Sequence, residues 1–326
     1  MARLTLHFII HQDFSHIHQA LDSLAQSAID YVCMVTVNAG TSADVQALRQ
    51  AHPEIQLIVN DFPKGFAENH NQAMLRAKTE YVALLNDDVL FEPASLKEML
   101  AYLDAHPQVA LASPLIVRAT GEPQVCAYDE PHLWRMLIHY SGLMALAPQG
   151  GQVRRMLQCL GIGRQISLAK PQTRLVPVVV GVAMFVRRSI FTQVGGMDEY
   201  TRMYGEEFGW MRRIREVGFG VALVTSARLI HLNPAQDLSG WKLAEHRKGT
   251  LAYFVRYRSA KQAKLLRGAL IFFYGLRVGL VRLFKPELVE DYWSVVQMAR
   301  QYRRDASKDG ARYASVDSSL PLALQG

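Results

Sequence analysis

The feature that most constrains this chain is an alternation. LTLHFII, YVCMVTVN, IQLIVN, YVALLN and VALASPLIV are short, apolar and rich in strand-forming residues. Between them, about 15–28, 43–51, 66–77 and 93–106, apolar residues recur at helical spacing. A strand buried on both faces reads as a continuous apolar run, and a helix between consecutive strands is what a parallel crossover needs. The pattern predicts an α/β fold, a mainly parallel sheet flanked by helices with Rossmann-like layering. Ligands in such sheets bind beyond the carboxyl ends of the strands. The alternation therefore puts Gln12, Asn38, Asn60 and the Asp87–Asp88 pair on one rim before any chemistry is considered.

The later chain is less regular. TGEPQVCAYDEPHLWRM suggests a turn, a strand and a helix entry at Pro131. Residues 147–173 have little period and read as a loop. LVPVVVGVAMFVRR is a β-like run interrupted by Gly181, and FGVALVTSARLIHL reads as a strand pair ending near His231. From 238 almost to 308 the pattern is helical, and the last dozen residues read as frayed. The division expected is a sheet-bearing unit over 1–236 that carries the ligand rim, a basic helical extension over 237–312 and a disordered tail over 313–326.

Composition removes several classes. Half of the 326 residues are hydrophobic and a fifth are charged, an ordinary globular balance. Cys33, Cys126 and Cys159 are far apart, fit neither zinc spacing nor a disulfide framework, and point to a reducing, cytoplasmic setting. The N-terminal apolar run is short, carries His7 and His11, and reads as a core strand rather than a signal peptide. The net charge of +7 is uneven: residues 247–312 hold 15 Lys/Arg against 5 Asp/Glu, so that region is +10 and the remainder −3. One local basic face, not a nucleic-acid-binding surface, is expected.

Four stations carry candidate chemistry. Asp87 and Asp88 close an apolar strand, and either cap a helix or hold a hard divalent cation; Glu92-Pro93 already supplies the next helix start. In DFPKGFAENHNQAM, Gly65 permits close backbone approach and Asn69 and Asn71 offer amides, although a turn with an N-cap has the same composition. Glu206 and Glu207 open an amphipathic helix, where carboxylates suit the helix dipole and equally suit a general base. His231 ends an apolar strand as a structural residue or as a metal ligand.

In order along the chain, these stations resemble glycosyltransferase family 2, the inverting nucleotide-sugar enzymes of GT-A fold. NDFPKGFAENHNQAM is similar to the family's G-F-A-x-x-x-N segment through Gly65, Phe66, Ala67 and Asn71. LLNDDV resembles the Asp-x-Asp-type station, MYGEEFGW the Glu-Asp motif, and ARLIHL the late strand with a metal-proximal His. Gly121, Gln124, Leu133-Trp134-Arg135 and GGMDE are most like bacterial rhamnosyltransferases. There are departures. Ile10-His11-Gln12 stands for Thr-Tyr-Asn, Val37 for the Asp ending strand two, Pro63 for an Asn, Glu-Glu for Glu-Asp, and Gly209 for a later Asp.

The resemblance implies a glycosyltransferase with Glu207 as base and Glu206 as second choice. It implies a divalent metal, Mg²⁺ or Mn²⁺, on Asp88 and His231, and a nucleotide-sugar donor near His11, Gln12, Asn38, Gly65, Asn71 and Asp87. The sugar expected is L-rhamnose from dTDP-rhamnose, passed to a saccharide or lipid-linked acceptor in bacterial cell-surface polysaccharide assembly. A UDP-sugar enzyme, or a non-catalytic binding protein with a decayed site, is the alternative. A Rossmann dehydrogenase is disfavoured, since no Gly-x-Gly-x-x-Gly follows strand one. Over 261–285 the helical phase gathers Lys261, Lys264, Arg267, Arg282 and Lys285 on one side, with Phe272, Phe273, Leu276, Leu280 and Phe284 mostly opposite. Such a helix either lies on an anionic membrane or packs on the catalytic unit, and the first option places the protein peripherally on the inner face of the cell membrane.

Overall fold

The computed structural model describes residues 2–27, 29–142, 172–233 and 240–314. Strands β1 (Leu4–His11), β2 (Tyr31–Ala39), β3 (Gln56–Val59) and β4 (Tyr81–Asn86) alternate with helices α1 (Ser15–Leu24), α2 (Ser42–Ala51) and α3 (Phe66–Arg76). Then come β5 (Val89–Phe91), α4 (Ser95–Ala105), β6 (Val109–Arg118), β7 (Ala127–Tyr128) and α5 (Leu133–Ser141). The second half adds β8 (Arg174–Leu175), β9 (Val178–Val179), β10 (Ala183–Arg187), α6 (Arg188–Val194), α7 (Glu206–Glu216) and β11 (Gly220–His231). It closes with α8 (Gly240–Tyr257), α9 (Ala260–Phe284) and α10 (Val289–Gln301).

Among the described residues the main sheet has nine strands in the order β3-β2-β1-β4-β10-β6-β11-β5, with β8 paired to β11. β1 is parallel to β2 and β4, β2 to β3, and β6 to β11, while β10 lies antiparallel between β4 and β6. β10 therefore reverses without changing the direction of its two neighbours, and the parallel strands still end on one rim. The core is built from strands buried on both faces: Leu4, Leu6, Phe8 and Ile10 of β1 and Val82 through Leu85 of β4 are fully buried.

Two expectations needed revision. The run over 219–232 is a single strand, not a pair. β11 slips in register between Val224 and Arg228, opposite Pro114 and Leu115 of β6. Pro114 has no N–H for the ladder, so the partner strand bulges there. The sequence gave no sign of β5, which runs antiparallel to the end of β11 directly after Asp88. The helical reading of 238–308 holds, and among the described residues it resolves into three α-helices with short connections. The loop expected over 147–173 falls mostly on residues outside the described set, as do the expected unit boundary at 236 and the tail beyond 314.

Helices α8, α9 and α10 share a second apolar core with Tyr140 of α5, centred on Leu251, Phe254, Leu266, Leu270 and Val295. This core is fixed to the sheet by a buried polar knot. Arg213 of α7 pairs with Asp198 at 3.0 Å, and Asp198 also accepts from Tyr257 Oη (2.8 Å) and the Gly310 N–H (2.7 Å). Asp198→Ala would leave Arg213 buried without its carboxylate. Breaking such a pair costs about 3–5 kcal/mol, so denaturant unfolding should show a loss of that order. An unchanged midpoint would mean that the knot contributes nothing.

Helix α9 differs from the phase reading. Its packed face is Ala263, Leu266, Leu270, Tyr274 and Val278, whereas Leu265, Phe272, Leu276, Leu280, Leu283 and Phe284 are exposed. It is apolar on two sides, one packed on the second core and the other left exposed.

Candidate active site

Asp88 and His231 are brought together by the strand that the sequence concealed. The chain turns after Asp88 into β5, and β5 pairs with β11 in the register His231↔Val89. The Leu232 N–H donates to the Asp88 carbonyl at 2.9 Å, which locks the two ends. As a result His231 Nε2 lies 3.2 Å from Asp88 Oδ1, with both side chains largely buried.

On its other side, His231 Nδ1 meets Gln124 Oε1 at 3.1 Å. An amide oxygen accepts, so Nδ1 donates; in the neutral imidazole able to bind a metal, this leaves the Nε2 lone pair facing Asp88. Asp88 Oδ1 is buried and has no hydrogen-bond donor. Two acceptors facing each other at this distance suit a shared cation; adjacent ligands of an octahedral ion at about 2.1 Å stand about 3.0 Å apart. The pair thus fits a divalent metal. Among the described residues no third His, Cys, Asp or Glu joins them, so the remaining ligands would come from donor phosphate or water. Gln124→Ala should weaken Mn²⁺ binding about 10–100-fold, as the loss of other outer partners of ligating histidines does. Calorimetric titration with Mn²⁺ and nucleoside diphosphate checks this, and unchanged affinity would remove Gln124 from the site.

Asp87, the neighbour of Asp88, is pushed up to about 7 by burial first and by the charge of Asp88 second. Two adjacent carboxylates at a buried strand end resist joint ionisation, which again suits a cation.

Glu206 and Glu207 occupy the first turn of α7, after Tyr204 and Gly205, whose φ angles are +78° and +87°. Gly205 has no alternative, since a Cβ there would lie 2.9 Å from Gly249 Cα of α8. Helix-dipole placement alone would lower both carboxyls. Burial wins instead and raises both, with the Glu207 charge adding to the rise at Glu206. The two differ in access. Glu206 is buried and accepts from Thr201 Oγ1 at 3.3 Å, whereas Glu207 is only half-buried. Tyr128 of β7 lies within the field of Glu207: burial first, then that charge, raises its phenol.

The expected donor residues fall on the rim, but several spend their polar atoms on the protein. Asn38 donates to the Lys64 carbonyl (2.9 Å) and accepts from the Lys64 N–H (2.7 Å) and Asn60 Nδ2 (2.9 Å), bracing the loop after β3. Asn71 is buried; it donates to the Met197 carbonyl and Glu199 and accepts from the Met197 N–H, all at 2.9 Å. Gly65 does allow a close approach, but to the chain itself: a Cβ would lie 2.8 Å from the Thr201 carbonyl oxygen. That contact holds the start of α3 against the segment leading to Glu206. His11 is exposed, 3.3 Å from Asn38 through Nδ1. Gln12 has φ +68°, a left-handed conformation rarely adopted by a residue other than glycine, and strain of this kind gathers at functional sites.

Residues 8–195, more than half of the chain, match the sequence profile of glycosyl transferase family 2. The chain belongs to that family. It is similar to the N-acetylglucosaminyl-diphospho-decaprenol L-rhamnosyltransferase of Mycobacterium tuberculosis, with 27% identity over 278 residues, 78% of this chain and 86% of that protein. It also resembles the pre-mycofactocin glycosyltransferase of the same organism, at 26% identity over 64% of this chain and 39% of that one. The fold is that of GT-A glycosyltransferases. The structure of GalNAc-T7 with UDP, GalNAc and Mn²⁺ superposes with a TM-score of 0.54 at 14% identity, covering 91% of this chain but 54% of that longer one. Mannosyltransferase PcManGT from Pyrobaculum calidifontis, in complex with GDP-Man and Mn²⁺, gives 0.51 at 15% identity, covering 91% and 84%.

The family's departures in this glycosyltransferase have local causes. Val37 is buried and belongs to the core. Gly209 is glycine because a Cβ would lie 2.3 Å from Asp198 Oδ2 and 2.5 Å from the Tyr257 ring, so α8 fills the space that an Asp would need. Sequence reasoning noted Gln124 only as a piece of a pattern and missed Tyr128 altogether. Neither carries a local signal, since a lone Gln and a lone Tyr gain meaning only from what faces them.

Proposed function

We propose that this glycosyltransferase moves L-rhamnose from dTDP-rhamnose to a saccharide or lipid-linked acceptor, with inversion, in bacterial cell-surface polysaccharide assembly. The similarity to the mycobacterial L-rhamnosyltransferase over most of both chains is the observation that carries this reading. The donor lies across the strand ends, its base near His11, Gln12 and Asn38. Glu207 accepts the proton of the acceptor hydroxyl as that oxygen attacks the anomeric carbon, and the nucleoside diphosphate leaves from the opposite face. Burial holds the Glu207 carboxyl above its ordinary range, where it can take up a proton near neutral pH. Asp88 and His231 would hold a divalent ion, with the imidazole favouring Mn²⁺ over the harder Mg²⁺. That ion supplies stabilisation of the charge developing on the leaving diphosphate.

Residues 1–236 form the catalytic unit in this reading and 237–312 its support. Among the described residues no helix is long and apolar enough to cross a membrane. A lipid-linked acceptor would be met at the membrane surface, from the cytoplasmic side. Purified protein offered dTDP-rhamnose and UDP-sugars with Mn²⁺, and assayed for nucleoside diphosphate release, tests the reading. Preference for dTDP-rhamnose is expected. A preferred UDP-sugar would move the donor assignment, and no turnover of any donor would favour a binding protein.

A further inference from the structure

The C-terminal helices border an open cationic cavity whose lining includes none of the candidate catalytic, donor or metal residues. It measures about 440 Å³, and its walls include Val255 of α8, Lys264 and Arg267 of α9, and Tyr302, Arg303 and Arg304 after α10. That volume suits a small headgroup. Four of these six side chains are cationic, and no carboxylate lines the cavity. Arg304 is paired with Asp309 at 2.7 Å, and Arg267 donates to the Arg300 carbonyl. Lys264 and Arg303 have no ion-pair partner among the described residues. The Tyr302 hydroxyl is buried without a hydrogen-bond partner. Lys264 and Arg303, exposed and unneutralised at one depression, are what an anionic group with several oxygens would satisfy.

The outer ridge of α9 starts beside this cavity. Leu265 follows Lys264, and Leu265, Phe272, Leu276, Leu280 and Leu283 are each more than half exposed. Their spacing keeps them on one side of the helix. No atom of the described residues lies within 4 Å of where a Cβ on Gly268 or Gly279 would stand, so no described residue covers the ridge there. Lys261, Arg282 and Lys285 flank it, and no Asp or Glu occurs anywhere in 260–285. A contiguous exposed apolar strip marks an interaction surface. Charge decides which one. A second copy of this ridge would bring like charges together, whereas an anionic bilayer offers phosphate to the cations and acyl chains to the leucines.

We propose that the cavity takes the phosphate of an anionic membrane lipid while the Leu265–Leu283 side of α9 enters the acyl layer beside it. This deepens the membrane part of the reading above and is independent of its chemistry, because lipid binding and donor turnover are measured separately.

The test is co-sedimentation of the full chain with vesicles of phosphatidylcholine alone and of phosphatidylcholine mixed with phosphatidylglycerol. Binding to the mixed vesicles only, weakened by salt, is expected. Lys264→Glu with Arg303→Glu should lower the partition at least about 20-fold, at roughly fivefold per cation. Phe272→Ser with Leu276→Ser should lower it independently. Both pairs are at the surface, and circular dichroism and unaltered nucleoside diphosphate release confirm that the variants are folded. Equal binding to both vesicle types, or a wild-type partition in the Lys264/Arg303 variant, would overturn the cavity's role. Absence of binding at low salt, or self-association through the ridge instead, would overturn the whole proposal.

Discussion

Glu207→Gln should reduce sugar transfer about 10²–10⁴-fold, the range of a positioned general base, while donor affinity stays near wild type. The amide keeps the size and the place at the head of α7 but cannot accept a proton. The pH profile gives the sharper test. Burial raises both glutamates, and the charge of Glu207 adds to the rise at Glu206. A base must be unprotonated to act, so activity should fall as pH drops through the raised value. Glu207 is raised by burial, so Glu206→Gln leaves that base and its acid limb in place. Activity should survive this change. If Glu206→Gln abolishes transfer and Glu207→Gln merely shifts the limb, the roles are reversed. The same groups set a stability trend in the metal-free protein. The folded state binds these protons more tightly than the unfolded chain, so stability is full below the unfolded carboxylate range and declines as pH rises through the folded values.

Asp88→Asn is the second large effect. It keeps the shape of the turn into β5 but removes the charge that faces His231 at 3.2 Å. Mn²⁺ affinity in the presence of nucleoside diphosphate should fall by more than the ~100-fold upper range seen for outer-shell changes, since a ligand itself is altered. Transfer should fall with it, and a strong chelator should silence the wild-type enzyme. Asp87→Asn provides the contrast. Asp87 is expected to shape the turn or meet the donor, so its variant should retain Mn²⁺ binding while losing donor turnover. Intact Mn²⁺ affinity in Asp88→Asn, measured by paramagnetic resonance of the free ion, would sink the assignment.

Much of the architecture was legible because it is local. Apolar runs of strand length separated by helical spacing define a layered α/β fold whatever the details, and the parallel strand ends then share a rim by geometry. The rim positions of Gln12, Asn38 and Asp88 followed from that. The functions of individual polar groups were not legible in the same way. Asn38 and Asn71 look like ligand-binding amides in the sequence, yet their hydrogen bonds go to Lys64, Asn60, Met197 and Glu199. Asn71 and Met197 are distant in the chain, and no local pattern announces a bond between them. For α9, an angular count separated cations from apolar residues but did not reveal which apolar side the rest of the molecule would cover.

The sequence by itself determined the layered sheet, the family, and the stations at Asp87–Asp88, Glu206–Glu207 and His231, since each depends on residues adjacent in the chain or on spacing along it. Only the tertiary structure decided which of them meet. A three-residue strand, too short to announce itself, folds back on β11 and sets His231 against Asp88. Tyr257 and Asp198 occupy the space that fixes Gly209 as glycine. The second core buries one side of α9 and leaves Leu265, Phe272 and Leu283 in the open. Contacts between residues far apart in sequence depend on the whole packing, because each such contact exists only once every element between its partners has been placed.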